Sequence, residues 1–289
     1  MDVLKEELMK KKLITNISII FIFIVAVIGI ASYKLFGESS KEINASKQFV
    51  SKLYSMNAVE RKEELADLKY ERVKTINSQN ELVNKTIVTQ DYGIDLDKDN
   101  NVVGFAKKDI TKKLPKIPEE KAKAKAEEYL MEICGNDLIF VERKEDSDLP
   151  YYSFTYTKKE NGYKLYFDEI KINIDKENGC IDGYSNTTMQ KKCEEPKINI
   201  SEKEAESTAY DYFAKYDLNG EICGDSELVY ADNKIENNDS NNLELCYIVT
   251  IKAKNSDQSE ILFKILVNAD NGQVYNCIKE NVENKVVTN

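Results

Sequence analysis

The sequence predicts an α+β protein, in which an N-terminal transmembrane helix is followed by tandem units that each combine one helix with an antiparallel β-meander. Three observations lead to this fold class. One long apolar run stands near the N-terminus, two helix-like segments align without a gap, and each is followed by alternating apolar residues and a hairpin turn. A chain of 289 residues is long enough for several small domains.

The apolar run at residues 13–33 has the length of a membrane-spanning helix. No charged residue lies between Lys12 and Lys34, and a helix of this length spans about 30 Å, the thickness of a hydrocarbon core. Lysines adjoin the run on its N-terminal side, so the positive-inside rule predicts a cytoplasmic tail at residues 1–12 and extracytoplasmic domains after the helix. The predicted localisation is the cell membrane, with a single pass. The alternatives are a cleaved signal peptide, for which Gly29 and Ala31 are small enough, and a buried soluble helix.

Two segments beyond this run predict amphipathic helices at equivalent places, because Ile117–Leu130 aligns without a gap on Ile200–Phe213. Ser201 and Glu204 have the spacing of a capping box, which marks the start of the second helix. One face of each helix carries small apolar and aromatic residues at helical spacing: Ala122, Ala126, Tyr129 and Leu130 in the first, and Ala205, Ala209, Tyr212 and Phe213 in the second.

Alternating strands and a hairpin follow each helix. Residues 152–156 and 243–251 alternate with period two, and Asn-Gly pairs at 178–179 and 271–272 predict hairpin turns. The stretch Asp97–Asn101 aligns with the first of these turns, with Asn101 in the place of glycine, and so identifies a degenerate first copy whose helix is expected within Lys41–Met56. The predicted repeats are therefore residues 40–110, 111–195 and 196–289, separated by charged, proline-containing linkers.

Charge and composition exclude several functional classes. The 41 Lys and Arg residues stand against 51 Asp and Glu, and a net charge of -10 disfavours binding to nucleic acid. The chain has no histidine, which excludes His-dependent nucleophile pairs and His-containing zinc sites. No nucleophile elbow and no glycine-rich phosphate loop occur. We therefore predict no catalytic residue, no cofactor and no metal ion.

The spacing of Asp95, Asp97 and Asp99 is that of a calcium loop, but the rest of the loop is missing. The glycine and the glutamate that such a loop needs at its sixth and twelfth positions are replaced by Asn100 and Ala106. The alignment with the later hairpins instead predicts that these acids are exposed strand and turn residues.

Six cysteines follow the apolar run, and an even number in an exported domain is typical of a disulfide framework. Cys134 and Cys223 occupy equivalent repeat positions after an isoleucine and are interpreted as small buried residues, whereas Cys193 lies in a polar linker and is expected to be exposed. The sequence leaves the pairing open. The candidate disulfide cysteines are Cys134, Cys180, Cys193, Cys223, Cys246 and Cys277.

These residues resemble a known family. The helix opening Ile-Ser-x-x-x-Ala-x-x-x-Ala (Ile200–Ala209) and the hairpin Val267–Gly272 look like the PepSY domain, and Ile117–Tyr184 is similar to the YcdB/YcdC-type relatives of PepSY. The resemblance covers the last two repeats. It implies an extracytoplasmic, often membrane-anchored bacterial module that binds or restrains other envelope proteins, and it supplies no catalytic residues.

The expected function is therefore that of a non-enzymatic envelope protein, anchored in the membrane, that binds and modulates another envelope protein of the peptidase or cell-wall hydrolase class. One alternative is an enzyme that acts on cell-wall glycan with a pair of carboxylates, because acids are abundant. A ligand-sensing ectodomain is the other.

Overall fold

The computed structural model describes residues 38–60, 64, 68–73, 82–108, 115–144, 149–188, 191–235, 242–255 and 258–281. The predicted transmembrane helix at 13–33 lies outside these residues, and within them no helix has the length and apolar character needed to cross a bilayer. The chain divides into an N-terminal unit (Met1–Lys113 with Cys180–Tyr184) and a C-terminal unit (Leu114–Gly179 with Ser185–Asn289).

The N-terminal unit consists of one helix and a small antiparallel sheet. Helix α1 comprises Glu38–Ser55. The strands that follow are β1 (Glu71–Val73), β2 (Lys85–Val88), β3 (Tyr92–Leu96) and β4 (Val102–Lys107), each antiparallel to the next. Strand β9 (Ile181–Asn186) is the neighbour of β4, and its first four residues belong to this unit. The helix expected within Lys41–Met56 is thus confirmed.

The core of this unit forms between α1 and one face of the sheet. Val50 and Leu53, three residues apart on the helix, are fully buried, as is Ile94 of β3. The ring of Phe49 packs 5.9 Å from that of Phe105 on β4. The apolar stripe of a helix therefore covers the buried face of alternating strands, which is the usual core of an α+β domain.

The aspartate turn between β3 and β4 is a hairpin, but one prediction about it was wrong. Asp97 is 7% exposed, and not a surface residue. Its carboxylate accepts hydrogen bonds from the amide of Asp99 at 2.9 Å and from the amide of Asn101 at 2.8 Å. The left-handed residue is Asn100, with φ 68°, and not Asn101. The aspartate is buried because it satisfies the amides that the tight turn leaves without ladder partners.

A buried side chain also caps the hairpin turn that closes each of the other two repeats. Asp175 is 3% exposed and accepts from the amide of Glu177 at 2.7 Å. Asn268 is 1% exposed and accepts from the amide of Asp270 at 2.9 Å. These residues and Asp97 occupy equivalent alignment positions, so a buried Asp or Asn capping the turn is a structural mark of each repeat.

The second repeat, in the C-terminal unit, pairs helix α2 (Glu119–Cys134) with four strands: β5 (Leu138–Lys144), β6 (Tyr151–Glu160), β7 (Tyr163–Leu165) and β8 (Ile170–Asp175). The four helix positions predicted to face the core are its buried residues. Strand β6 pairs antiparallel with β5, β7 and β8. The predicted Asn-Gly turn at the end of this repeat is confirmed by Gly179, with φ 74°.

The third repeat contains helix α3 (Glu202–Phe213), a short 3₁₀ turn (Ala214–Tyr216) and the strands β10 (Lys192–Cys193), β11 (Gly220–Ile222), β12 (Glu227–Ala231), β13 (Asn242–Lys254), β14 (Glu260–Asn268) and β15 (Val274–Asn281). The predicted capping box is confirmed, because the Ser201 hydroxyl accepts from the amide of Glu204 and the Glu204 carboxylate accepts from the amide of Ser201. Ala205, Ala209 and Phe213 face the sheet.

Tyr230 joins the second and third repeats inside the C-terminal unit. Strands β7 and β12 pair in parallel, with Tyr230 opposite Leu165. The Tyr230 hydroxyl donates to the carbonyl of Glu194 at 2.7 Å and accepts from the side-chain amide of Asn161 at 2.9 Å. The side chain is 1% exposed, and these two bonds satisfy its hydroxyl. The described fold is thus α+β with a mostly antiparallel sheet, as predicted.

Candidate interaction surface

A group of three tyrosines lies where α3 passes into the 3₁₀ turn, and we call Tyr210, Tyr212 and Tyr216 the tyrosine surface. Tyr210 and Tyr216 are exposed, whereas Tyr212 is partly buried against the core. The helix periodicity that turns Ala205, Ala209 and Phe213 toward the sheet leaves the intervening positions at the margin of the core. Tyr210 is 43% exposed and Tyr216 is 42% exposed. Large aromatic side chains with this exposure are unusual on an otherwise charged helix.

Buried phenylalanines pack beneath part of this surface. The ring of Tyr216 lies 4.9 Å from that of Phe263 on β14, and Phe213 lies 5.1 Å from the same ring in an edge-on contact. Tyr212 packs 6.5 Å from Tyr216. These separations are those of favourable aromatic pairs. The exposed rings are therefore held in place by the core rather than by other surface residues.

Hydrogen bonds fix the edges of two of these rings. The Tyr216 hydroxyl donates to Sγ of Cys277 at 3.5 Å, and this bond, together with partial burial, raises the pKa of Tyr216 to about 12. The Tyr210 hydroxyl donates to the carbonyl of Gly220 at 3.2 Å. A Cβ at position 220 would come within 2.7 Å of the Phe213 ring, so glycine permits this close packing.

Two lysines frame the surface. The Lys215 ammonium lies 4.3 Å from the centre of the Tyr212 ring, and the Lys279 ammonium lies 5.9 Å from that of Phe263. Both distances are within the range of cation–π attraction. The surface is therefore aromatic and has two cations against its rings, while Asp211 and Asp217 of the same stretch are exposed.

A pocket of about 240 Å³ lies elsewhere in the third repeat, where the chain before α3 meets the ends of β13 and β14. Its lining includes four carboxylates, from Glu194, Glu195, Glu244 and Asp270. Three of them bond to neighbouring amides: Glu194 to Asn242, Glu244 to Asn268 at 2.9 Å, and Asp270 to Asn199 at 2.5 Å. The Asn199–Asp270 bond ties the linker to the closing hairpin, and the other two tie β13 to the linker and to the end of β14. The described residues contain no group of three or more acids or cysteines arranged to hold a metal ion.

None of the six candidate disulfide cysteines forms a disulfide in the structure. Cys180 and Cys246 are buried, and burial raises the pKa of the Cys246 thiol. The remaining four, Cys134, Cys193, Cys223 and Cys277, are half-buried. The structure therefore brings only Cys277 into the tyrosine surface.

Sequence reasoning did not identify the tyrosine surface. Tyr212 was assigned to the helix face that packs on the core, and it is partly buried against that core, but the exposure of Tyr210 and Tyr216 was not predicted. A signal was present in the spacing of Tyr210, Tyr212 and Tyr216. Three tyrosines within seven residues cannot all share one face of a helix that turns every 3.6 residues.

A known protein family matches the middle of the chain. Residues 77–188 match the family profile described as the YcdB, YcdC repeated domain. The resemblance to the YcdB/YcdC family is confirmed over this range. The match includes all of Ile117–Tyr184 and begins inside the first repeat, whereas the third repeat lies outside it. A YcdB/YcdC-type repeat is consistent with a binding or regulatory role.

One similar solved structure is the Bacillus megaterium YpeB C-terminal domain. It is 19% identical, with a TM-score of 0.45 over 74% of this chain and 89% of that chain. A search of curated proteins found no match.

Proposed function

We propose that this chain is a non-enzymatic protein of the cell envelope, anchored by residues 13–33, that binds another envelope protein of the peptidase or cell-wall hydrolase class and modulates its activity. The observation that carries the proposal is the tyrosine surface. Tyrosine is enriched in the energetically dominant centre of protein interfaces, where its large ring and hydroxyl both contribute. The YcdB/YcdC-type repeat supports the same class of role.

The arrangement of the tyrosine surface suits binding for a second reason. Tyr210 and Tyr216 are already fixed by bonds to Gly220 and Cys277, so little side-chain entropy remains to be lost when a partner docks. Lys215 and Lys279 add positive charge beside the rings. We therefore expect the partner to present an apolar patch bordered by charged residues of both signs, with acids opposite Lys215 and Lys279.

The test combines binding with enzyme activity. Purified peptidases and wall hydrolases from the same envelope are assayed with and without the full chain, and at least one should bind and change its rate. The double variant Tyr210→Ala with Tyr216→Ala should weaken that binding by about tenfold or more.

Phe140→Ala is the matched control for these substitutions. Phe140 is an aromatic residue of β5 that is 36% exposed and lies outside the tyrosine surface, so its loss should leave binding unchanged. The proposal fails if no such enzyme binds, or if the control variant weakens binding as much as the tyrosine variant does.

A second candidate function rests on the acidic pocket, whose four carboxylates could act on cell-wall glycan in pairs. Purified full chain incubated with wall glycan would then release new reducing ends, and Glu244→Gln would abolish the release. Lack of release by the unaltered chain would remove this candidate.

A further inference from the structure

Strand β15 leaves a long open edge. It pairs with β14 on one side over residues 261–267 of that strand, and among the described residues no strand lies on its other side. An open edge presents unpaired amides and carbonyls, which template the addition of a further strand. Natural sheets usually obstruct such an edge when it is not used.

Strand β5 is the other described strand of more than three residues that has a single neighbour, and it is obstructed. Its pairing with β6 shifts register between Phe140 and Glu142, which marks a bulge, and the strand ends in Glu142, Arg143 and Lys144. Bulges and charges are the features that block strand addition. Strand β15 also has a register shift near its start, opposite Leu266 and Val267, but its residues 276–281 pair regularly with β14. Over its eight residues it carries only two charges, Lys279 and Glu280, and no proline.

The equivalent strands of the first two repeats are already joined to each other. Strand β4 closes the first repeat and β9 closes the second, and the two are hydrogen-bonded neighbours. Ile181 of β9 is fully buried in this arrangement. The alignment of the repeats makes β15 the counterpart of β9. Two closing strands therefore pair with each other in this chain, whereas among the described residues no closing strand lies beside β15.

One amide of β15 identifies which groups face the open edge. The amide of Cys277 donates to Oδ1 of Asn276, its own neighbour in sequence, at 2.8 Å. An amide that pointed toward β14 would be used in the ladder, so this one faces outward. Because amides alternate along a strand, the amides of Lys279 and Asn281 face outward as well.

We propose that the open edge of β15 pairs antiparallel with the β15 edge of a second copy of this chain, which makes the protein a two-fold symmetric dimer. The occupant is a second copy because the pairing of β4 with β9 is repeated by bringing together two closing strands, and a two-fold axis supplies the second one. The inference concerns assembly and does not require the partner of the proposed function, although Cys277 and Lys279 of β15 adjoin the tyrosine surface.

Charge selects the register of this pairing. Centring the two-fold axis on Cys277 separates the two Lys279 side chains by four residues along the strands, and centring it on Ile278 leaves them diagonal. Centring it on Lys279 places two ammonium groups directly opposite each other, which is unfavourable. Both permitted registers bring the two Cys277 thiols to directly opposite or diagonal positions, which are about 5–8 Å apart between Cβ atoms.

The decisive variant is Lys279→Pro in the full chain. Proline removes an outward amide and leaves the ladder with β14 intact, as proline does on natural edge strands. Sedimentation of the detergent-solubilised full chain should show a concentration-dependent dimer. Lys279→Pro should raise its dissociation constant by about tenfold or more, since two symmetric hydrogen bonds are lost. Lys279→Ala, which removes the same side chain and keeps the amide, should leave the constant unchanged.

Crosslinking gives a second readout. A short reagent that joins two thiols should produce a covalent dimer that disappears in Cys277→Ser and persists in Cys134→Ser. A full chain that stays monomeric, or dimers that Lys279→Pro and Cys277→Ser leave unchanged, would overturn the proposal. So would a dimer that forms only after residues 282–289 are deleted, because that tail would then be the occupant of the edge.

Discussion

The carboxylate of Glu42, on helix α1, is fully buried and lies 2.9 Å from the ammonium of Lys85 on strand β2. A second cation, Arg72, lies 3.5 Å from the same carboxylate but is 54% exposed. Neither oxygen accepts a well-directed hydrogen bond from the described residues, so the attraction across these short distances is mainly Coulombic. A charge buried in this way depends on its partner, because water cannot replace that partner.

Removing one side of the Glu42–Lys85 pair should be costly. We expect Lys85→Met to lower the free energy of unfolding by about 3–5 kcal/mol, since it leaves the buried carboxylate without its nearest cation. Arg72→Ala should cost at most about 1 kcal/mol because that cation is exposed. Urea denaturation of the two variants measures the difference, and equal costs would contradict this account. The double change Glu42→Met with Lys85→Met should recover most of the loss.

The buried carboxylate of Asp232 should make stability depend on pH in acid. Burial alone would raise the pKa of Asp232, but hydrogen bonds from Lys191 and Lys234, both at 2.9 Å, outweigh it and hold this pKa below its ordinary value. A depressed folded pKa stabilises the protein at pH values above the unfolded pKa of about 3.9. This contribution is lost as the pH falls through the folded value.

Asp232→Asn should therefore lower stability at neutral pH by about 1.5–3 kcal/mol, the usual worth of hydrogen bonds to a charged group, and should flatten the acid limb of the stability profile below about pH 4. Thermal melts from pH 2 to pH 7 provide the measurement. Asp225→Asn, at an exposed position of the same repeat, is the control and should leave the profile unchanged. An Asp232→Asn profile parallel to that of the unaltered chain would refute the assignment.

The two Asn-Gly turns should respond differently to the same substitution. Gly179 and Gly272 both have φ 74°, but a Cβ at Gly179 would meet the Lys125 side chain at 2.7 Å and that of Ile117 at 3.1 Å, whereas at Gly272 the nearest atom is 3.9 Å away. Gly272→Ala should cost about 1–2 kcal/mol through backbone strain alone. Gly179→Ala should cost more, because its neighbours must also move.

Substitution of either glycine by asparagine distinguishes backbone strain from steric crowding of the side chain. Gly272→Asn should recover much of the loss seen with alanine, because asparagine visits the left-handed region more readily, as Asn100 does in the first repeat. Gly179→Asn should stay destabilising. Denaturation midpoints rank the stabilities of the four variants. If Gly272→Asn is no more stable than Gly272→Ala, backbone strain is not the cause of the loss.

Membrane anchoring by residues 13–33 predicts a defined topology. An N-terminal tag should be protected from protease added to intact cells, while the rest of the chain should be degraded, because the lysines before the run stay inside. Val25→Lys with Val27→Lys should release the chain from the membrane fraction, since two central charges cost about 5–7 kcal/mol on insertion. Val25→Leu with Val27→Leu is the matched control. A mature chain that has lost its tag would favour the cleaved signal peptide instead.

Sequence patterns predicted the regular elements well and the polar details poorly. The faces of α2 and α3 and the hairpins at Gly179 and Gly272 follow from local rules, namely helical period, capping and the left-handed tolerance of glycine. The burial of Asp97 was not predicted, because an aspartate spaced from other acids looks the same in sequence whether it faces solvent or caps a turn. Its role depends on the amides of Asp99 and Asn101, which converge on it only once the turn is formed.

By itself the sequence determined the fold class, the repeat structure and the YcdB/YcdC-type resemblance, because these depend on periodicity and turn chemistry that neighbouring residues impose on one another. Tertiary structure alone decided which side chains are exposed and which edges are open. The ring of Tyr216 packs against Phe263, from a strand distant in sequence, and Tyr212 packs against Tyr216. Among the described residues β15 has β14 as its single neighbour, whereas the equivalent strand β9 lies between β4 and β8. Contacts between residues far apart in the chain carry no local signature, so only the folded chain reveals them.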